Sequence, residues 1–592
     1  MYIDRKLIQT SLGHTHADLV IKNGRLVNVY TREIYQADVV VTNNRIAAAG
    51  RNLDASIGLS TEVIDAEGKY LVPGLIDSHI HPEVSKVTLT RLGNAIVPRG
   101  TTSIMASLDQ IGVVTGLSGI RFVLDEVNKT PLKIFHSAPS RLPYTTPAST
   151  IAYPFGPKEH NIAQEWPEAV GIWEYMASSI EDFDEKVFEA VDLAFKNRLS
   201  PHGHMPVTTG RVVSACAAAG TRDDHESYSA IEMIEKLQNG IYGLMRRGTH
   251  SDNIPALVQV ITELQIPTNH LALCTDDTDC IDISELGLID SLVRNVIRLG
   301  VDPITAIQMG SINAAEAYRV DHMVGSITPG RIADILLVSD LSAFTVDSVV
   351  ANGKLVAKHG QMIQPCITPE FPGYFLNTVK LDRPIETTDL LLATDEMANA
   401  AKVLCIHIDL DEGLLSQRRD AVLPVLNGKI YCDPEQGVNF ISVTERHTGS
   451  GKTSSAFITG FDLKHGAIAT SLSPDDDNII CIGANADDMA FAINHLAKIG
   501  GGQVAVEGKK VIAKIQLPLA GLMSDISVEE MAKRERTLND AARHLGTHLQ
   551  RPFFFLIFLS ITSIPDFAMT DKGLVEYKSR SVINPILELI KE

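Results

Sequence analysis

The sequence predicts an α/β protein: a (β/α)8, TIM-like barrel, a small β-sandwich domain built from both of its flanks, and a C-terminal α/β domain. Three observations predict it. Apolar strand-like runs alternate with helical patterns across residues 71–320, which is the size and rhythm of such a barrel. Short strand-like pieces separated by turns lie on both sides of that stretch. A proline-containing connector then opens a last segment that mixes both textures. With 592 residues, 45% of them hydrophobic and 6% aromatic, the chain is long enough for several domains and apolar enough for large cores.

In chain order, residues 1–70 contain DLVIKNGRLV, ADVVVTNNRIAAAG and EVIDAEGKYLV, strand-like pieces with Asn-Gly, Asn-Asn and Glu-Gly turns. Within residues 71–320, TTSIMAS and HLALCTDD read as strands and EKVFEAVDLAFKNRL as a helix, with Val187, Val191, Ala194 and Phe195 on one buried face. Residues 321–365 return to short strands in GSITPGRIADILLVSD and SVVANGKLVAKHG, which are expected to rejoin the N-terminal β domain. The connector PCITPEFPGY leads into residues 366–592, where GKKVIAKIQLPL reads as a strand and Ser527 to Glu530 as a capping box opening a helix. FFFLIFLSI is far shorter than the roughly 20 residues that cross a bilayer as a helix, and reads as a buried strand or core segment.

Composition narrows the function classes. A formal net charge of −20, with no basic stripe, excludes a nucleic-acid surface and favours a small-molecule partner. The cysteines, 7 in number and without a C-x-x-C pair, fit a reduced chain better than a disulfide framework. The first residues, MYIDRKLIQTSLGHTH, lack the apolar core of a signal peptide. The expectation is a cytoplasmic protein with no membrane partner.

The chemistry begins at PGLIDSHIHPE. On a strand, residues two apart face the same way, so His79 and His81 can point at one spot at the C-terminal mouth of a barrel. Imidazole is the commonest ligand of catalytic divalent metals, which makes a metal the natural occupant. GIWEYM, HGHMP, DDHES and CTDD follow in barrel order, each after or within an apolar run, and offer Glu174, His204, His225 and Asp276. Singly, each of these has a structural explanation: a hydrogen-bonded histidine, a helix-start carboxylate, a cap. Together the six supply enough donors for two divalent ions.

These motifs, with PGRIADILLV, resemble the amidohydrolase superfamily and in detail its adenine deaminase branch. Gly203 to Pro206 and Asp224 to Ser227 match that branch at the ends of barrel strands 5 and 6. GAIATS, IGGGQVAVEGKKVIA, LPLAGLMSD and IPDFAMTDKGL are similar to its C-terminal domain. The resemblance implies a two-metal centre of manganese or iron, with zinc as the alternative, held by His79, His81, Glu174, His204, His225 and Asp276. A glutamate, here Glu174, replaces a carbamylated lysine. The implied reaction converts adenine to hypoxanthine and ammonia, with Asp276 moving protons and Glu226 or Asp277 hydrogen-bonding the ring. A homodimer is the implied assembly.

The chain parts from the branch pattern at four places. Asp109-Gln110-Ile111-Gly112 stands for Asp-Pro-His-Glu, Gly287 to Asp290 for Gly-His-Ile-Asp, Pro474 to Asp477 for His-Asp-Ser-His, and Arg246 to Thr249 for Arg-Glu-Gly-Ser. No implied metal ligand is lost, but groups around the substrate change. Two alternatives therefore stand beside adenine: a different purine, pteridine or cyclic amide as substrate, and a homologue that binds metal and ligand without turnover.

Overall fold

A computed structural model describes residues 3–395, 398–408, 416–564 and 566–591, so Pro565 of IPDFAMTDKGL lies outside the described residues. At its centre, eight parallel strands pair in chain order: β1 (Leu75–Asp77), β2 (Thr101–Ala106), β3 (Lys133–Ala138), β4 (Ala169–Met176), β5 (Ser200–His204), β6 (Asp223–Asp224), β7 (Tyr242–Arg246) and β8 (Leu271–Cys274). The ring closes just beyond β1 and β8. There the Ser78 N–H donates to the Leu273 carbonyl (3.3 Å), Asp276 N–H to His79 (2.8 Å) and His81 N–H to Asp276 (3.1 Å). β2 is buried at every position, as expected of a parallel strand covered on both faces.

Helices follow the strands and pack outside. The helix Glu185–Lys196 shows why: Asp184 caps it by accepting from the Lys186 N–H, and Val187, Ala190, Val191 and Ala194 are buried. Phe195, expected on that face, is instead 50% exposed. At 3.6 residues per turn it stands about 80° around from Val187, at the edge of the stripe. There its ring lies over Gly220, where any Cβ would collide with it.

The two flanks build one β unit. The strand Tyr70–Pro73 pairs on one side with Leu19–Asn28 and on the other with Ile335–Asp340, joining the sandwich into a single nine-stranded ladder. The ladder curls back on itself where Ile46 N–H donates to Arg331 and Gly330 N–H to Ile46, and Val39 and Ile335 share one core. The Asn-Asn and Glu-Gly turns form between strands, but the expected Asn-Gly turn does not. Asn23-Gly24 lies inside the continuous strand Leu19–Asn28, where the register shifts and Asn23 takes φ +58°, so the pair forms a bulge.

The last segment holds a ten-stranded sheet, a three-stranded sheet and the helices Ala486–Ile499, Val528–His544 and Pro552–Ile557. Ser527 caps Val528–His544 by accepting from the Glu530 N–H at 3.2 Å. FFFLIFLSI is buried but is not a strand: it forms Pro552–Ile557 and the 3-10 turn Phe558–Ser560, with Pro552 in the first turn, where its missing N–H costs nothing. This segment lies across the barrel mouth. It is fastened by buried Lys86 against Glu535 (2.8 Å) and by Arg551 against Asp279 (2.7 Å) and Asp282 (2.6 Å). Among the described residues no helix is long and apolar enough to cross a membrane, and all seven cysteines are unpaired.

Candidate metal centre and active site

The ionisable groups stand at the C-terminal ends of the strands. Past β1, Ile80 pairs with Asp276, which leaves His79 and His81 on either side of it directed at the same interior point. Buried Asp77 holds that segment by accepting from the N–H groups of Thr275 (3.1 Å) and His79 (3.3 Å).

Glu174, in β4, is the hub. Its Oε1 is 3.2 Å from His81 Nε2, while its Oε2 is 3.2 Å from His204 Nδ1, 3.4 Å from His225 Nε2 and 3.7 Å from His79 Nε2. Asp276 Oδ1 lies 3.6 Å from His79 Nε2 and 3.5 Å from His81 Nε2. Overlapping sets of donors follow: His79, His81 and Glu174; Glu174, His204 and His225; His79, His225 and Asp276; His81, Asp276 and Asp277. All six residues expected to hold metal are thus in one cluster. The other histidine of HGHMP, His202, is not: it pairs with Asp223 (2.7 Å) and stacks on Tyr318.

The donors fit a metal. Burial, reinforced by His225 beside it, holds His79 well below its usual value. The neutral ring lies between Trp173 and His225, and neither ring nitrogen has a hydrogen-bond partner. Buried polar atoms are rarely left so, and a lone pair aimed at a carboxylate is satisfied by a cation between them. Burial alone would raise the Glu174 carboxyl, but His81 and His204 outweigh it and hold it well below the usual range. His204, for its part, rises to about 9 against burial through Glu226 and Glu174. Protons at these imidazoles supply the positive charge that the cluster demands, and a divalent ion displaces them on binding.

Two further acids face the pocket. Burial and the adjacent Asp276 push the Asp277 carboxyl well above the carboxylate range. Glu226 shifts the opposite way: Arg246 and the His204 imidazole overcome burial and hold it well below that range. Arg246, at the end of β7, is a functional residue absent from the motif-based set. Its Nη1 donates to Asp276 Oδ2 at 2.7 Å and also to Glu226, and its Nη2 donates to Glu226 Oε2 at 3.2 Å. A charged residue closing the apolar strand run YGLM is the signal that marks it.

The pocket beyond the cluster draws on two domains. Gln110, Tyr144 and Tyr228 come from the barrel, and Pro474, Asp475, Phe554 and Phe558 from the C-terminal segment. Burial, with Glu174 and Asp109 adding to it, raises the Asp475 carboxyl to about 8. From the four departing stretches, the changed residues Gln110 and Pro474 reach this pocket, beside Asp109, Arg246 and Asp475, which keep the pattern's residues, whereas Arg247, buried Leu288 and the Asp290–Arg294 pair stand outside it.

A closed parallel barrel with histidines and carboxylates converging at its C-terminal mouth defines a metal-dependent hydrolase of the amidohydrolase class. The Amidohydrolase family model matches residues 70–356, and the Adenine deaminase C-terminal domain model matches residues 414–581. The chain is 44% identical over 575 residues to Adenine deaminase 4 of Rhizobium meliloti (strain 1021), covering 97% of this chain and 96% of that protein. It is 41% identical over 586 residues to Adenine deaminase 1 of Desulfotalea psychrophila (strain LSv54 / DSM 12343), covering 99% and 98%. The chain belongs to the adenine deaminase family.

Proposed function

We propose that the protein hydrolyses adenine to hypoxanthine and ammonia at a centre of two divalent ions, manganese or iron, with zinc as the alternative. The observation that carries this reading is the split placement of Glu174. One oxygen faces His81 and the other faces His79, His204 and His225, so a single carboxylate reaches all four imidazoles that would hold the ions.

When bound, the ions supply a water that ionises near neutral pH and positive charge against the developing anion. The chain's own groups do the rest. Asp276 turns Oδ1 toward His79 and His81 while Arg246 donates to Oδ2 and fixes the carboxylate, which is placed to take a proton from the attacking water. That proton passes to ring N1 as the water oxygen bonds to C6; the remaining hydroxyl proton is then carried to the amine, the C6–N6 bond breaks, and nitrogen departs as ammonia, leaving C6=O and N1–H. Asp277 lines the same pocket and is the group assigned to hydrogen-bond the ring, and Glu226 keeps Arg246 in place. The apolar cover of Phe554 and Phe558 excludes bulk water.

The family resemblance supports a cytoplasmic homodimer, checked by light scattering of the purified protein. The reaction itself is tested by following adenine to hypoxanthine chromatographically with manganese-loaded enzyme. Stoichiometric hypoxanthine is expected, and adenine returned unchanged by protein that carries metal contradicts the reading.

A further inference from the structure

Gln110 opens the helix that follows β2, is 2% exposed, and lines the pocket. Neither heteroatom of its carboxamide has a hydrogen-bond partner in the protein. The great majority of buried polar groups are paired, so an amide left wholly unpaired against a cavity is explained by what enters the cavity. Asp475 repeats the pattern from the other side of the domain boundary. It sits between the strands Ala467–Thr470 and Ile479–Gly483, lines the same pocket, and has a buried carboxyl oxygen, Oδ2, without a partner. Gln110 stands where the family's pattern has a proline, whereas Asp475 keeps the pattern's aspartate between two changed neighbours, Pro474 and Asp476.

We propose that Gln110 and Asp475 together read the hydrogen-bonding edge of the substrate ring and so determine which heterocycle this chain accepts. A carboxamide sets an N–H donor beside a C=O acceptor. Its complement is a ring edge with an acceptor nitrogen beside an N–H, which is how glutamine pairs with N7 and N6 of adenine. Because the reaction takes place at C6–N6, the edge left for the amide is the opposite one, N3 and N9–H of the free base, which offers the same pattern and which a nucleoside lacks. Asp475 presents a second polar group, the unpartnered Oδ2, to the same pocket. Given the adenine reading above, on which this pairing rests, the pocket selects free 6-aminopurines. Rings without the complementary edge leave buried groups unpaired, which is the condition for steep discrimination.

The test is steady-state ammonia release by metal-loaded wild type, Gln110→Ala, Asp475→Asn and Asp475→Ala, on adenine, 2,6-diaminopurine, adenosine and pterin, with bound metal measured in each. Gln110→Ala is expected to raise KM for adenine about 10- to 100-fold, with kcat within about threefold of wild type. Asp475→Asn, which keeps a polar group there, is expected to preserve the substrate ranking, and Asp475→Ala to lose it. Unchanged KM and ranking in Gln110→Ala and Asp475→Ala overturns the proposal. So does a loss of kcat accompanied by loss of metal, which marks a structural role. If wild type acts on another ring of the panel and not on adenine, the adenine reading falls and the pair is judged on KM for that ring. If it acts on none, both fall.

Discussion

Asp276 carries the most chemistry of any residue in the cluster, since it faces two imidazoles with one oxygen and an arginine with the other. Replacing it by asparagine keeps a ligand atom but removes the proton acceptor. Asp276→Asn is expected to lower kcat by at least about 100-fold with both ions retained, as checked by ammonia release and atomic absorption on the same sample. His136, in β3, makes a different prediction. Burial lowers its pKa to about 4, so the folded protein refuses a proton that the unfolded chain accepts below about 6.5. Its contribution is fully present above that pH and is lost as pH falls toward about 4. Between pH 7.5 and 5 the loss is about 2 kcal/mol. Urea unfolding of His136→Leu at both values should show the acid destabilisation reduced by that amount.

At the scale of elements, the sequence was most legible where local physics decides. Ser527 announced a helix start because a hydroxyl accepting the Glu530 N–H is a local bond, and Ser527→Ala is expected to cost about 1 kcal/mol, read as a lowered melting temperature. The histidine and carboxylate motifs were legible because a barrel presents strand ends on one face, so five separate stretches converge without any long-range information. What failed required knowledge of neighbours. FFFLIFLSI is core, one of the two readings its composition allows, but it is helix and not strand, a choice the apolar run alone does not decide. Asn23-Gly24 has hairpin chemistry but lies in a strand paired on both sides. Arg246, Gln110 and Asp475 lay in stretches flagged only by comparison with the family pattern, and their roles become legible only when β7, β2 and the C-terminal segment meet.

The whole molecule is a barrel whose mouth is closed by its own C-terminal segment, and the fastening is ionic and buried. Lys86 lies just beyond the His79–His81 segment, Glu535 on the helix Val528–His544, and both side chains are 5% exposed. Removing one partner strands a buried charge. Lys86→Met is therefore expected to destabilise the protein by about 3–5 kcal/mol, with the double change Lys86→Met and Glu535→Leu recovering most of it, as read by urea midpoints. The central claim, that this folded pocket is a two-ion centre for adenine hydrolysis, is tested most directly by titrating the metal-stripped protein with manganese while measuring ammonia release from adenine. The account predicts that release rises with added metal and saturates at two ions per chain. Metal bound to saturation with no ammonia released from adenine would contradict it.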